Sequence, residues 1–415
     1  MTARERVLAA LEHREPDRVP VDLGSTPSSG ISAIAYGRLK QHLGLTEGHV
    51  RVYDVVQQLA QPEEIVLDRL GVDALDLGRT FNTRDEDWYD VTLADGQTAQ
   101  YPAWFHPDQE PDGAWVARLA DGTEVARMPA NGTFFDQTCF PYLDGYPDDF
   151  RDLDDAMRKV LWAALVHSPW DHAGEPDFWT TLRERALALR ARSDRALVIV
   201  AGCNLFEWGT FLRRMDNFCM DLVAEPAKVE ALLDALMERH LATLEKVCQA
   251  VGDVADILRF GDDLGTNGGP FMAPRTYRRL FKPRHTQLCD YVHRHSRMKT
   301  YLHSCGSIRA LLPDLIEAGY DVINPVQTSC RGMEPDGLKR DFGRDICFWG
   351  GGCDTKEVLP KGTPAEVKAH VRERLEILMP GGGFVFNTVH NILPEVPPEN
   401  IMAMFEAIEE FGRYG

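Results

Sequence analysis

Thr300-Tyr301-Leu302-His303-Ser304-Cys305-Gly306 is the stretch on which the reading of this chain turns. It begins as a strand, apolar and aromatic, and ends at a glycine where a loop must start. Residues two apart on a strand point to the same side. The His303 imidazole and the Cys305 thiol therefore converge. Both are donors that borderline-soft zinc prefers. Two donors do not make a site, so a third must come from elsewhere in the chain.

Outward from this stretch the same grammar repeats. Apolar runs near residues 324, 348 and 386 follow it, and runs near 20, 75, 198 and 258 precede it. Helical patterns separate them, among them 274–295, 308–318, 364–378 and 398–412. Thr2-Ala3-Arg4-Glu5 has the form of a capping box that opens a first helix. Eight strand-then-helix units predict an α/β fold, a (β/α)8 TIM barrel, as one domain over residues 1–415. A doubly wound open sheet is the alternative. Residues 80–145 break the pattern. There, aromatic runs alternate with turns such as Ala94-Asp95-Gly96 and Ala120-Asp121-Gly122, which read as antiparallel hairpins. This is a β-rich insertion, either a packing lid or a layer that touches substrate or a partner.

The 415 residues carry a formal net charge of −19. Such a surface argues against nucleic acid and anionic membrane as partners. No uninterrupted apolar run approaches the length of a membrane span, and the first residues lack the apolar stretch of a signal peptide. The nine cysteines are scattered and odd in number. They read as reduced cysteines of a cytoplasmic protein.

In a barrel of this kind chemistry sits at the C-terminal ends of the strands. The polar residues at those ends are Asp262 and Asp263, His303 and Cys305, Asn324 and Gln327, Cys353 and Asp354, and His390 and Asn391. Cys353 is the natural third ligand, and the glycines at 350–352 would let the backbone crowd close to a metal. Three protein ligands and one open position is the catalytic zinc pattern. Asp262, Asp263 and His390 are candidate catalytic groups. Asn324, Gln327 and Glu207 are candidate substrate contacts. The plainer readings are that Asp262 and Asp263 cap a helix, that His390 is a core histidine, and that Cys203 and Cys347 are packing.

At these residues the chain resembles the superfamily of uroporphyrinogen decarboxylase and the cobalamin-dependent methyltransferases that share its fold. The carriers are Arg14-Glu15-Pro16-Asp17-Arg18-Val19-Pro20, Gly261-Asp262-Asp263-Leu264-Gly265, His303-Ser304-Cys305-Gly306 and Gly351-Gly352-Cys353-Asp354. Lys361-Gly362-Thr363-Pro364 and the ending His390-Asn391-Ile392 with Val396-Pro397-Pro398-Glu399-Asn400 complete them. Decarboxylases of the superfamily hold their substrate's carboxylates with arginines just after the first strand. Here that place reads Asp22-Leu23-Gly24-Ser25-Thr26-Pro27-Ser28-Ser29, without an arginine. The resemblance therefore implies the methyltransferase branch. It implies zinc held by His303, Cys305 and Cys353, a corrinoid (cobalamin) on a partner protein, a small methoxy, methylamino or thiol substrate, and a homodimer. Two other functions compete. One is a metal-free decarboxylase of a small or tetrapyrrole carboxylate. The other is a non-enzymatic binding subunit with a structural zinc closed by a fourth ligand such as Asp354.

Overall fold

The computed structural model describes residues 1–415. Seven strands form one parallel sheet in sequence order: β1 (Ala74–Asp76), β2 (Ala196–Gly202), β3 (Ile257–Gly261), β4 (Lys299–His303), β5 (Val322–Asn324), β6 (Cys347–Trp349) and β7 (Phe384–Val385). The eighth stave is too short to be a regular strand. Val21 makes a parallel bridge to Phe386 beside β7. On its other side the Asp73 N–H donates to the Val21 carbonyl at 2.7 Å, just before β1. The sheet thus curls round and meets itself through residues 20–22, as the eight-unit reading expects. Proline at position 20 removes a donor that a regular ladder would need, which explains why this stave is so brief.

Helix α1 (Ala3–Leu11) starts with the expected capping box of Thr2 and Glu5. It plugs the N-terminal end of the barrel. Val7, Ala10 and Leu11 pack with the inward side chains Ala74, Val198, Ile257, Tyr301, Cys347 and Trp349 in one closed cluster. Cys347 is therefore interior packing. The Arg14–Pro20 stretch serves the same end. Asp73, almost wholly buried, accepts from Arg6 Nη1 and Arg18 Nη1, each at 2.7 Å. Asp17 accepts from Arg6 Nε at 2.7 Å. With α1 and these ion pairs closing one end, only the C-terminal end is open.

Helices and the outer faces of the strands form the main core around the barrel. Between β1 and β2 lie the hairpin Trp88–Thr92 with Thr98–Pro102 and a four-stranded antiparallel sheet that includes Trp115–Arg118 and Glu124–Met128. Their turns fall on the two Asp-Gly signals. No helix is long and apolar enough to cross a membrane.

Candidate active site

β4 delivers His303 at its last residue, and Cys305 follows in the loop. Gly261 lies level with His303, and His303 with Asn324, on the neighbouring strands. The Asn324 side chain fixes the imidazole. Its Oδ1 takes a 2.7 Å hydrogen bond from His303 Nδ1, while its Nδ2 donates to the Trp349 carbonyl at 2.8 Å. Because Asn324 Nδ2 is spent on a carbonyl, its Oδ1 faces the ring, so Nδ1 carries the hydrogen. The lone pair is left on Nε2. That nitrogen is 3.4 Å from Cys305 Sγ and 3.5 Å from Asp263 Oδ1.

The third donor brought here is His390, from the loop after β7. Donor atoms of His303, Cys305 and His390 all lie within 4.8 Å of one another. The two imidazole rings meet edge to face, with centroids 5.6 Å apart. Cys353, the expected third ligand, is not in the group. It is fully buried in the main core, and its thiol reaches only the Asp354 carbonyl, at 3.9 Å. The glycines before it serve packing, since a Cβ at Gly352 would stand 2.4 Å from the Phe386 ring. Asp354, the candidate fourth ligand, is not in the group either. Its Oδ1 caps a turn by accepting from the N–H groups of Lys356, Glu357 and Val358.

The two adjacent aspartates separate cleanly. Asp262 is fully buried and accepts from the N–H groups of Leu205, Phe206 and Glu207, at 3.3, 3.1 and 2.8 Å. It holds the start of α2 (Phe206–Arg213) and is braced by His285 Nε2 at 3.2 Å. Asp263 faces the cavity, with 36% of its side-chain surface open, and accepts from the Cys305 N–H at 2.8 Å. Asn324 and Gln327, expected to touch substrate, are engaged by protein groups, Asn324 by His303 and Trp349 and Gln327 by the loop after β4. Gln327 Oε1 accepts from the Gly306 N–H at 2.5 Å and holds the loop that carries Cys305. Neither lines the cavity, whereas Glu207 does.

That cavity has a volume of about 520 Å³ and an open mouth. Its polar lining includes His303, His390, Asp263, Glu207 and Arg259. The apolar lining includes a cluster of rings, Phe134 from the insertion with Trp162, Phe211 and Trp208. Phe134 and Trp162 meet edge to face at 6.3 Å, so the insertion does reach the mouth. Burial dominates the acid–base state of the polar side. It lowers His303 to about 3, helped by the Arg259 charge, and it lowers His390 to about 3 as well, helped by His303. Both rings are neutral, the form that binds metal. Burial pushes the Cys305 thiol well up, reinforced by Asp263 and Glu207. The Glu207 carboxyl is also pushed well up by burial and then by Asp263 and Asp262, and Asp263 is raised by burial.

Arg259, Asn204 and the aromatic wall were not singled out in the sequence. Arg259 carried a signal, being one charge inside the apolar run Ile257-Leu258-Arg259-Phe260.

Comparison with known proteins agrees with this architecture. Uroporphyrinogen decarboxylase of Methylococcus capsulatus is 30% identical over 100 residues, 24% of this chain and 27% of that one. Methylcobamide:CoM methyltransferase MtaA of Methanosarcina barkeri is 25% identical over 186 residues, 44% of this chain and 49% of that one. The chain thus spans no more than half the length of these curated relatives. A methyltransferase from Methanosarcina mazei has a similar fold, with a TM-score of 0.59 at 19% identity and 99% of both chains covered. Residues 204–411, half of the chain, match the family described as Uroporphyrinogen decarboxylase (URO-D). That span runs from the start of α2 to the last helix and takes in His303, His390, Asp263, Glu207 and Arg259 of the cavity, so the chain belongs to the uroporphyrinogen decarboxylase family.

Proposed function

We propose that this chain is a zinc-dependent methyltransferase. It moves a methyl group between a small methoxy, methylamino or thiol compound and a corrinoid carried by a partner protein. The observation that carries the reading is the convergence of His303, Cys305 and His390, with both histidines lining a cavity of small-molecule size. The methylcobamide:CoM activity in the printed name of the Methanosarcina barkeri relative supports the transfer and the corrinoid.

The donor set fits zinc. A tetrahedral ion about 2.0–2.1 Å from nitrogen and about 2.3 Å from sulfur sets its ligand atoms roughly 3.5 Å apart. His303 Nε2 and Cys305 Sγ are already at 3.4 Å. Three protein donors leave one position for a substrate heteroatom. Bound there, zinc would supply Lewis acidity to an ether or amine, or favour the thiolate of a thiol.

The protein's own groups prepare that chemistry. Asn324 aims His303 and fixes its tautomer. Asp263 and Gln327 hold the backbone of the loop that presents Cys305. When a methyl leaves oxygen or nitrogen, the heteroatom keeps the bonding electron pair and needs a proton. Glu207, whose carboxyl is pushed well up by burial and by the neighbouring aspartates, lines the cavity and would give one. The aromatic wall excludes water from the transferring methyl.

The test is elemental analysis of wild type beside Cys305→Ser, followed by methylation of free Co(I) cobalamin from methylated compounds. About one zinc per chain is expected, lost in the variant, with transfer that a chelator abolishes. Zinc-free protein after zinc supplementation, or transfer indifferent to the chelator, overturns the reading.

A further inference from the structure

Arg259 takes no part in the chemistry described above. It lies mid-strand in β3, on the inward side with Ile257, and lines the cavity together with Val200 and Asp263. Its guanidinium donates to no protein group, and its Nε is buried without a partner. No carboxylate oxygen comes within 4.0 Å of it. Two other shielded arginines of this fold behave differently. Arg6 meets Asp73 at 2.7 Å and Arg190 meets Asp256 at 2.5 Å. The carboxyls nearest the cavity have other partners, Asp263 the Cys305 N–H and Glu207 the Asn204 amide. Tyr301, level with Arg259 on the next strand, has a buried hydroxyl that is also without a partner.

A guanidinium is charged at every accessible pH, and buried charges are normally paired. One left facing a cavity is a binding site for an anion that arrives from outside. The strand is built to present it. A Cβ at Gly261 would stand 2.7 Å from Asn204 Nδ2 and 3.3 Å from Arg259 Nη1, so the glycine clears space for both groups at the level of His303. The same cavity is lined by Trp162, Trp208 and Phe211, which suit an apolar body.

We propose that Arg259 anchors a carboxylate, so that the small compound exchanging its methyl group at this site is an apolar-bodied carboxylic acid. The planar guanidinium fork matches the two oxygens of a carboxylate. The acid's body would lie along the aromatic wall. The proposal rests on the cavity being the substrate site of the proposed transferase, but its test reads binding alone. Failure of methyl transfer with acid binding intact would refute the transferase reading and not this one.

The experiment is isothermal titration calorimetry of the full chain as purified, with two acid–amide pairs. These are 4-methoxybenzoate with 4-methoxybenzamide, and 3-methoxypropanoate with 3-methoxypropanamide. At least one acid should bind roughly tenfold to a hundredfold more tightly than its amide, the range for hydrogen bonds to charged groups. Arg259→Gln should erase that preference. Arg259→Lys, which keeps the charge but loses the fork, should retain part of it. Without ligand, the Tm of Arg259→Gln should equal or exceed that of wild type, since an unpaired charge is removed. Absence of binding by both acids, amides that bind as tightly as the acids, or an acid preference that survives in Arg259→Gln would each overturn the assignment. So would tighter binding of 4-methoxybenzenesulfonate than of 4-methoxybenzoate.

Discussion

Truncating His390 and truncating Cys353 should have opposite consequences for zinc. Four-ligand zinc sites have apparent binding free energies of about 10–16 kcal/mol, so one ligand is worth on the order of 3–4 kcal/mol. His390→Ala should weaken zinc binding by roughly several hundredfold. Cys353→Ala should leave the zinc affinity within about threefold of wild type and cost only about 1 kcal/mol of stability, as a typical core truncation does. Its thiol sits in the core against the Asp354 carbonyl, away from the three converging donors. A second readout is built into the ligand chemistry. His303 and His390 are both lowered to about 3 and are already neutral, while the Cys305 thiol is pushed well up. Zinc therefore displaces one proton, and apparent affinity should rise about tenfold per pH unit between pH 6 and 8. A site with Cys353 in place of His390 would displace two protons and gain about a hundredfold per unit. The assay is competition with a chromophoric chelator, for the wild type and both variants at three pH values. Zinc loss in Cys353→Ala equal to that in His390→Ala, or a two-proton slope in the wild type, refutes the assignment of His390.

Asn324→Leu removes the partner of His303 Nδ1 and should lower zinc affinity roughly tenfold to a hundredfold, with all three donors still present; an unchanged affinity in the same competition assay would remove Asn324 from the site. His240, buried with its Nε2 on the Asn204 carbonyl at 2.8 Å, is lowered by burial to about 4. Its contribution to stability is complete above about pH 6.5 and is lost as pH falls toward 4, roughly 3 kcal/mol in all, so urea midpoints should fall over that range and fall less steeply in His240→Gln. Asp76 has the opposite sign. Burial raises it to about 6, so folding pays for its ionisation as pH rises from about 4 through 6, and Asp76→Asn should stabilise the protein by up to roughly 3 kcal/mol at pH 7.5 and very little at pH 4. Equal midpoint shifts at both pH values would contradict this origin.

The barrel was legible because its strands are buried on both faces and read as continuous apolar runs set apart by amphipathic helices. The eighth stave shows the limit of that signal. Residues 20–22 pair through a few backbone hydrogen bonds on either side, and proline interrupts the run. His303 and Cys305 were legible because they are two residues apart at a strand end, where spacing alone determines facing. Cys353 follows three glycines, two of them at positive φ. Through such a tract the alternation of sides is lost, and spacing says nothing about direction. The Asp262–Asp263 pair posed the same difficulty. Neighbours on a chain leaving a strand face opposite ways, and only the N–H groups of residues 205–207 decide which is the cap.

The exchange of a thiol for an imidazole also changes the charge of the centre. Zinc with one thiolate and two neutral imidazoles has a net charge of +1, whereas two thiolates and one imidazole would leave it neutral. Arg259 adds a second positive charge to the same cavity, and it makes no ion pair with protein. Against these stand Asp263 and Glu207, whose carboxyls are both raised by burial. In the proposed zinc-loaded protein the centre and Arg259 would together make the cavity electropositive inside a chain whose formal net charge is −19. Two features follow from one cause. On the proposed reading, an anionic substrate would be drawn into a site that the protein surface repels, and the leaving heteroatom, which gains electron density as the methyl departs, would do so beside fixed positive charge. A His390→Cys variant would keep three zinc donors and cancel one of those charges. It should retain zinc while weakening the acid-over-amide preference, with Arg259 untouched. Loss of zinc in that variant, or an undiminished acid preference, would show that the charge of the centre does not set the choice of substrate.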